Sequence, residues 1–98
     1  MDVLGGIIGF EWDEWNTEHI KKHEVTPEEA EQPFFDERKV VGEDTNHSDA
    51  EDRYILIGKT KTERVLYIVF TLRKPRIRVI SARDINKKRE VNVYEKAA

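Results

Sequence analysis

The segment Val65 to Leu72 (VLYIVFTL) constrains the fold most, because seven of its eight residues are apolar. A strand with apolar residues on both of its alternating faces belongs in the middle of a sheet, covered on each side. Two further strand signals lie close by. Tyr54 to Ile57 precedes it across the polar stretch Gly58 to Glu63 (GKTKTE), and Arg76 to Ala82 comes after it across Arg73-Lys74-Pro75. Connections this short join antiparallel neighbours. The expected centre of the protein is therefore a three-strand antiparallel unit.

The first half supplies the elements that pack on that unit. Ile7 to Trp12 (IIGFEW) reads as a short first strand with Phe10 and Trp12 on one face. Asp13 then caps a helix running to about Glu24, with Glu14 in the first turn, where the helix dipole favours an acid. Trp15, His19 and His23 share one stripe of that helix, with Asn16 and Ile20 beside it. Thr26-Pro27-Glu28-Glu29 combines an N-cap, a proline at the first helical position and acids in the first turn. That second helix stops near Pro33, and Phe34-Phe35 anchors the chain beyond it. Val40-Val41 is at most a short edge strand, and Gly42 to Asp52 is a polar loop rich in turn formers. Asp84 reads as the cap of a last helix running to about Lys96. The order is β-α-α-β-β-β-α, an α+β domain made of a small antiparallel sheet with packed helices.

Ninety-eight residues form one small domain, 1–98. No cysteine is present, which removes disulfides, thiolate metal sites and thiol nucleophiles and suits a reducing cytoplasm. The apolar opening, Val3 to Phe10, is broken by three glycines and is too short for a signal peptide or a membrane span. A cytoplasmic protein without a membrane partner is expected.

The net charge of −3 hides a segregation. Glu11 to Asp52 holds fifteen acids and four bases, whereas Arg53 to Ala98 holds thirteen bases and four acids. A polyanion is repelled by the first half and attracted by the second. The basic character peaks between Arg73 and Arg89, where eight cations face one acid, Asp84. Strand parity puts Arg76 and Arg78 on one face and Ile77 and Val79 on the other. Arg83 takes the opposite parity if the strand stays regular, although it lies at the strand end behind the small residues Ser81-Ala82. Cations on a strand can be aimed at one phosphate, and guanidinium grips two oxygens at once. Solubilising surface charge is the simpler explanation for Arg76 or Arg78 taken alone.

Arg53 opens its strand directly after the acidic loop, and Glu51 projects to the same side if the strand extends back that far. The two could form a plain salt bridge, or a general base beside a phosphate clamp. His47 in the same loop is of a residue type that can exchange a proton near neutral pH, although a loop histidine is more often simply solvated. His19 and His23, at i and i+4, are half of a metal site, but the glutamate of the zinc-protease helix is missing and no third ligand is evident. No metal and no other cofactor is expected. Phosphate-binding glycine loops, dinucleotide fingerprints and nucleophile elbows are absent from the sequence.

Seven short motifs occur in a recognisable order. They are Phe10-Glu11-Trp12-Asp13; Lys22-His23 with Val25; Pro27-Glu28-Glu29-Ala30; Phe34-Phe35-Asp36; His47-Ser48 with Glu51 and Arg53; Ile80-Ser81-Ala82-Arg83; and Arg89-Glu90 with Tyr94. Together they resemble the BrnT toxins, ribonucleases of type II toxin–antitoxin systems with a RelE-like fold. The resemblance runs from Phe10 to Glu95, leaving residues 1–9 as either an N-terminal extension or a start-codon choice. The pattern departs from the family at Glu24, where glycine usually comes after the histidine, and in a first helix about one residue short. The resemblance implies an RNA substrate and a cognate antitoxin of the BrnA type in a hetero-oligomer, with operator DNA reached only through the antitoxin.

The expected activity is metal-independent RNA cleavage. RNA carries its own nucleophile, the 2′-hydroxyl, so the protein has to move protons and stabilise the charged phosphorane. Arg53 and Arg83 are the expected phosphate clamps, with Arg78 and then Arg76 behind them. Glu51 or His47 is the expected proton-transfer group, and Lys87 or Tyr94 assists from the last helix. The alternative is a non-catalytic RNA- or partner-binding module with the same fold.

Overall fold

The computed structural model describes residues 4–44, 52–86 and 88–97. Strand β1 (Gly9–Glu11) leads into helices α1 (Glu14–Lys21) and α2 (Pro27–Glu31) and a 3-10 turn (Gln32–Phe35). Strands β2 (Val40–Glu43), β3 (Tyr54–Lys59), β4 (Val65–Arg73) and β5 (Arg76–Asp84) come next, and helix α3 (Lys88–Ala97) is last. The strands form one sheet in the order β1-β5-β4-β3-β2. The central β3-β4-β5 unit is antiparallel, as the short connections require.

Two features differ from the expected order. Val40-Val41 belongs to a four-residue strand paired with β3, so four strands rather than three separate α2 from α3. The sheet is also mixed rather than antiparallel, because β1 runs parallel to β5. The chain crosses from one sheet edge to the other through α1, α2 and the 3-10 turn, and a crossover of that length permits parallel pairing. A three-residue strand carries no signal of which neighbour it will choose.

Alternation along β4 builds the core. Leu66, Ile68 and Phe70 are fully buried and meet Leu56 of β3 and Ile77, Val79 and Ala82 of β5. Ile20, Val25, Ala30 and Phe34 cover that face from the helical side. Phe10, Phe34 and Phe70 form a chain of edge-to-face contacts, with centroids 5.2 and 5.1 Å apart. The 3-10 turn presses so closely on β3 that a Cβ at Gly58 would lie 2.8 Å from the Pro33 carbonyl oxygen.

The starts of α1 and α2 carry the capping predicted for them. The Asp13 carboxylate accepts from the Asn16 N–H while the Asn16 side chain accepts from the Asp13 N–H, and Thr26 and Glu29 repeat the exchange. Helix α1 ends at Lys21, before Glu24, in a Schellman motif. Val25 N–H reaches the Ile20 carbonyl and Glu24 N–H the Lys21 carbonyl, with Glu24 left-handed at φ 58°. A left-handed residue of this kind suits glycine better than glutamate. Arg64, in the β3–β4 connection, closes the same corner. Its guanidinium donates to the carbonyls of His23 and Glu24 and to the carboxylates of Glu29 and Asp84.

Candidate functional site

Strand β5 does not stay regular. Phe70 pairs with Val79 but Val69 pairs with Ser81, so Ile80 is an extra residue in a β-bulge. The bulge returns Ala82 to the core and turns Arg83 to the face carrying Arg76 and Arg78. Without it, parity would drive Arg83 into the apolar interior. Buried Asn16 of α1 supports the distortion from the helical side, its amide donating 3.0 Å hydrogen bonds to the carbonyls of Val79 and Glu11.

The sheet face opposite α1 and α2 collects arginines from three strands. Thr71 pairs with Arg78, and Arg73 pairs with Arg76. Continuing the β3–β4 register by one residue beyond Tyr54–Phe70 sets Arg53 opposite Thr71. The backbone holds Arg53 on both sides: the Thr71 hydroxyl donates to the Asp52 carbonyl at 2.8 Å, and Asp44 N–H donates to the Arg53 carbonyl at 2.9 Å. Arg53 and Arg78 thus flank Thr71 two strand spacings apart, roughly 10 Å between Cα atoms, within reach of one phosphodiester.

Several of these cations already have acidic partners. Arg78, only 8 % exposed, lies 3.1 Å from Glu11 and 2.9 Å from Asp13. Its hydrogen bond is the main influence holding the Asp13 carboxyl below the usual carboxylate range. Glu11 also pairs with Arg73 at 3.0 Å. Among the described residues, Arg53 and Arg76 have no such acid.

Arg83 occupies a second position, one that sequence reasoning merged with the first. It pairs across the sheet with Tyr67, with the guanidinium carbon 4.3 Å from the ring centroid. Glu90 of α3 grips it through two hydrogen bonds, of 3.0 and 2.8 Å. That pairing raises the guanidinium's pKa. With a bulge between them, Arg78 and Arg83 are roughly 13–16 Å apart along the strand. Phosphates at different positions along a strand match that spacing better than one phosphate does.

The remaining sequence expectations fall in three groups. Glu51, His47 and Lys87 lie outside the described residues. Tyr94 is 7 % exposed and donates a 2.7 Å hydrogen bond to Asp36 beneath α3, and burial together with that carboxylate pushes its hydroxyl pKa up to about 12. Asp84 is the last residue of β5 and an ion-pair partner of Arg64 rather than a helix cap; α3 begins at Lys88. His19 stacks on Trp15, and no group of three or more potential metal ligands occurs among the described residues. A broad surface hollow, ≈ 640 Å³, lies between α2 and the β3–β4 connection, with Glu28, Glu31 and Asp36 facing Lys59 and Lys61 on its walls, so its charge is mixed.

The pattern of the BrnT family, described as the ribonuclease toxin of type II toxin–antitoxin systems, matches residues 12–89. The chain belongs to the BrnT toxin family. No curated protein matches the chain. Membership implies RNA as the substrate class and an antitoxin protein as partner. The BrnT match spans Arg53, Arg78 and Arg83, and it stops one residue short of Glu90. Among the described residues, no helix of this BrnT chain is long and apolar enough to cross a membrane.

Proposed function

We propose that the chain cleaves RNA by in-line attack of a 2′-hydroxyl on the adjacent phosphate, without a metal. The O2′–P bond forms, the P–O5′ bond breaks, and the products carry a 2′,3′-cyclic phosphate and a 5′-hydroxyl. The supporting observation is the arrangement of Arg53 and Arg78 around Thr71 on one sheet face, with Arg76 alongside. Two permanently charged, bidentate donors suit the extra charge of a phosphorane. Arg83 takes a neighbouring phosphate and sets the path of the strand. Glu51 or His47, in the segment leading into Arg53, removes the 2′-hydroxyl proton, and a second group protonates the 5′-oxygen.

The partner in this reading is an antitoxin of the BrnA type, which binds operator DNA on behalf of the complex. Inhibition is achieved by docking over the arginine face, and the acidic first half serves the complex rather than the RNA. The BrnT resemblance implies a RelE-like fold, and the antiparallel β3-β4-β5 unit with helices against it supports that reading.

One experiment tests the activity. Purified protein is incubated with RNA in EDTA and the new ends are identified. Cyclic-phosphate and 5′-hydroxyl ends are expected, falling at least about 100-fold in Arg53→Ala and Arg83→Ala. Intact RNA under conditions where the protein binds it would leave a binding module instead. That second reading draws support from the carboxylates already occupying Arg78 and Arg83.

A further inference from the structure

We infer that Trp15 is a stacking platform for an unpaired nucleobase of the bound RNA, a role that rests on the RNA-directed reading above. The two tryptophans of the chain are treated very differently by the fold. Trp12 is half-buried and donates its indole N–H to Glu31 at 2.8 Å. Trp15 is 58 % exposed, and its indole N–H makes no hydrogen bond among the described residues.

Exposure alone would mean little, but the ring is held in place. His19, one helical turn along α1, lies parallel to it, with centroids 5.2 Å apart and planes 9° from parallel. The Arg78 guanidinium carbon is 5.8 Å from the Trp15 centroid. The indole is therefore oriented before any ligand arrives, which lowers the ordering cost of binding. A flat heterocycle of either purine or pyrimidine type continues such a pile, because every base offers a π-face.

The position suits a base better than a phosphate. Glu14 and Glu18 line the hollow beside Trp15 and His19, with Lys22 as the cation there. Acids repel a phosphate but leave an uncharged base unaffected. The phosphate belongs on the other side of Arg78, where exposed Arg76 and half-buried Arg53 have no acid partners among the described residues. In a single nucleotide the ribose separates the two, so one residue, Arg78, adjoins both the phosphate and the base. This arrangement makes the protein a reader of unpaired RNA, since a base within a duplex has no free face to offer.

The test uses a short single-stranded oligoribonucleotide with 2′-O-methyl riboses, which binds but cannot be cleaved by 2′-hydroxyl attack. Trp15→Ala is expected to weaken its binding roughly 5- to 150-fold while leaving the salt slope and the melting temperature unchanged. Trp15→Phe is expected to restore most of the affinity. Removing one base from the probe at a single position should cost the wild type the same factor and cost Trp15→Ala nothing further. Equal affinities of wild type and Trp15→Ala, or base-removal penalties that persist in the variant, would overturn the inference. So would a variant that binds RNA normally but fails to bind the antitoxin, since Trp15 would then be a protein contact. If the probe binds with this Trp15 dependence but unmodified RNA is never cut, the nuclease reading falls and the stacking site stands. If the wild type binds no RNA, both fall.

Discussion

Arg83 and Glu90 face each other in a two-point ion pair, Nη1 to Oε1 at 3.0 Å and Nη2 to Oε2 at 2.8 Å. Glu90 is 5 % exposed and reaches Arg83 from α3, across the ring of Tyr67. A carboxylate thus occupies the place where a phosphate oxygen pair would sit, so at the proposed site protein acid and RNA would compete for one guanidinium.

Replacing Glu90 with glutamine keeps the shape and removes the charge. Glu90→Gln should bind single-stranded RNA more tightly at low salt, with a salt slope steeper by about one phosphate contact. It should also lose roughly 1–3 kcal/mol of stability, because the charge-assisted pair is gone. Anisotropy titrations across a salt series and urea unfolding measure the two effects. An unchanged slope would mean that Arg83 lies off the RNA path.

Glu24 sits in the left-handed region at φ 58°, where a side chain is strained and glycine is not. Among the described residues its side chain forms no ion pair or hydrogen bond that would compensate, and Arg64 contacts only the Glu24 carbonyl. Glu24→Gly should therefore raise stability by about 0.5–1 kcal/mol, despite the greater freedom of glycine in the unfolded chain. For a domain of this size that is roughly 3–6 °C in melting temperature, measurable by thermal circular dichroism. A lower melting temperature would show that the strain is relieved by other means.

The first two helix starts and the central strands were legible because each rests on local chemistry: Asp13 and Thr26 cap, and the run Val65 to Leu72 can only be buried on both faces. The features that could not be read depend on residues distant in sequence. The bulge at Ile80 leaves no mark in the alternation of Ile77, Val79 and Ile80, yet it decides which face Arg83 takes. The parallel pairing of β1 is settled by the crossover above it and not by its three residues. Asp84 looks like a helix cap in isolation, and only the approach of Arg64 from the β3–β4 connection makes it an ion-pair partner. The arginines of the proposed site stand out in the sequence as residue types, while their division into an Arg53–Arg78 row and a separate Arg83 position needed the strand register.

The Tyr94–Asp36 contact supplies a pH signature. Burial, and then the Asp36 carboxylate, pushes the Tyr94 hydroxyl up to about 12 from its ordinary 10.0. A group raised on folding stabilises fully below its unfolded pKa, and that contribution is lost as pH climbs through the folded value. Wild-type protein should therefore lose stability between about pH 10 and pH 12 more steeply than Tyr94→Phe, which has no hydroxyl to titrate there. At pH 8 Tyr94→Phe should be the weaker of the two by about 1 kcal/mol, the net worth of the lost hydrogen bond. Urea midpoints at a series of alkaline pH values test both statements, and parallel pH profiles would remove Tyr94 from the account.

Arg64 separates a structural arginine from the proposed RNA-directed ones. Its guanidinium lies 2.6 Å from Asp84 and 3.2 Å from Glu29, and also ties down the carbonyls of His23 and Glu24. These contacts bind the end of α1, the start of α2 and the end of β5 at one corner, remote from the row through Thr71. The hydrogen bonds it donates to Asp84 and Glu29 raise its pKa, with burial opposing. Arg64→Ala should cost roughly 2–3 kcal/mol, since charged hydrogen-bond partners lose their donor. Arg64→Lys should recover less than half, because a single ammonium cannot span carbonyls and carboxylates arranged for a planar fork. Neither change should alter the salt slope of RNA binding below the melting transition, whereas Arg53→Ala should reduce it by about one. A salt slope that falls equally in Arg64→Ala and Arg53→Ala would place RNA on the helical corner and move the proposed site away from the Arg53–Arg78 row.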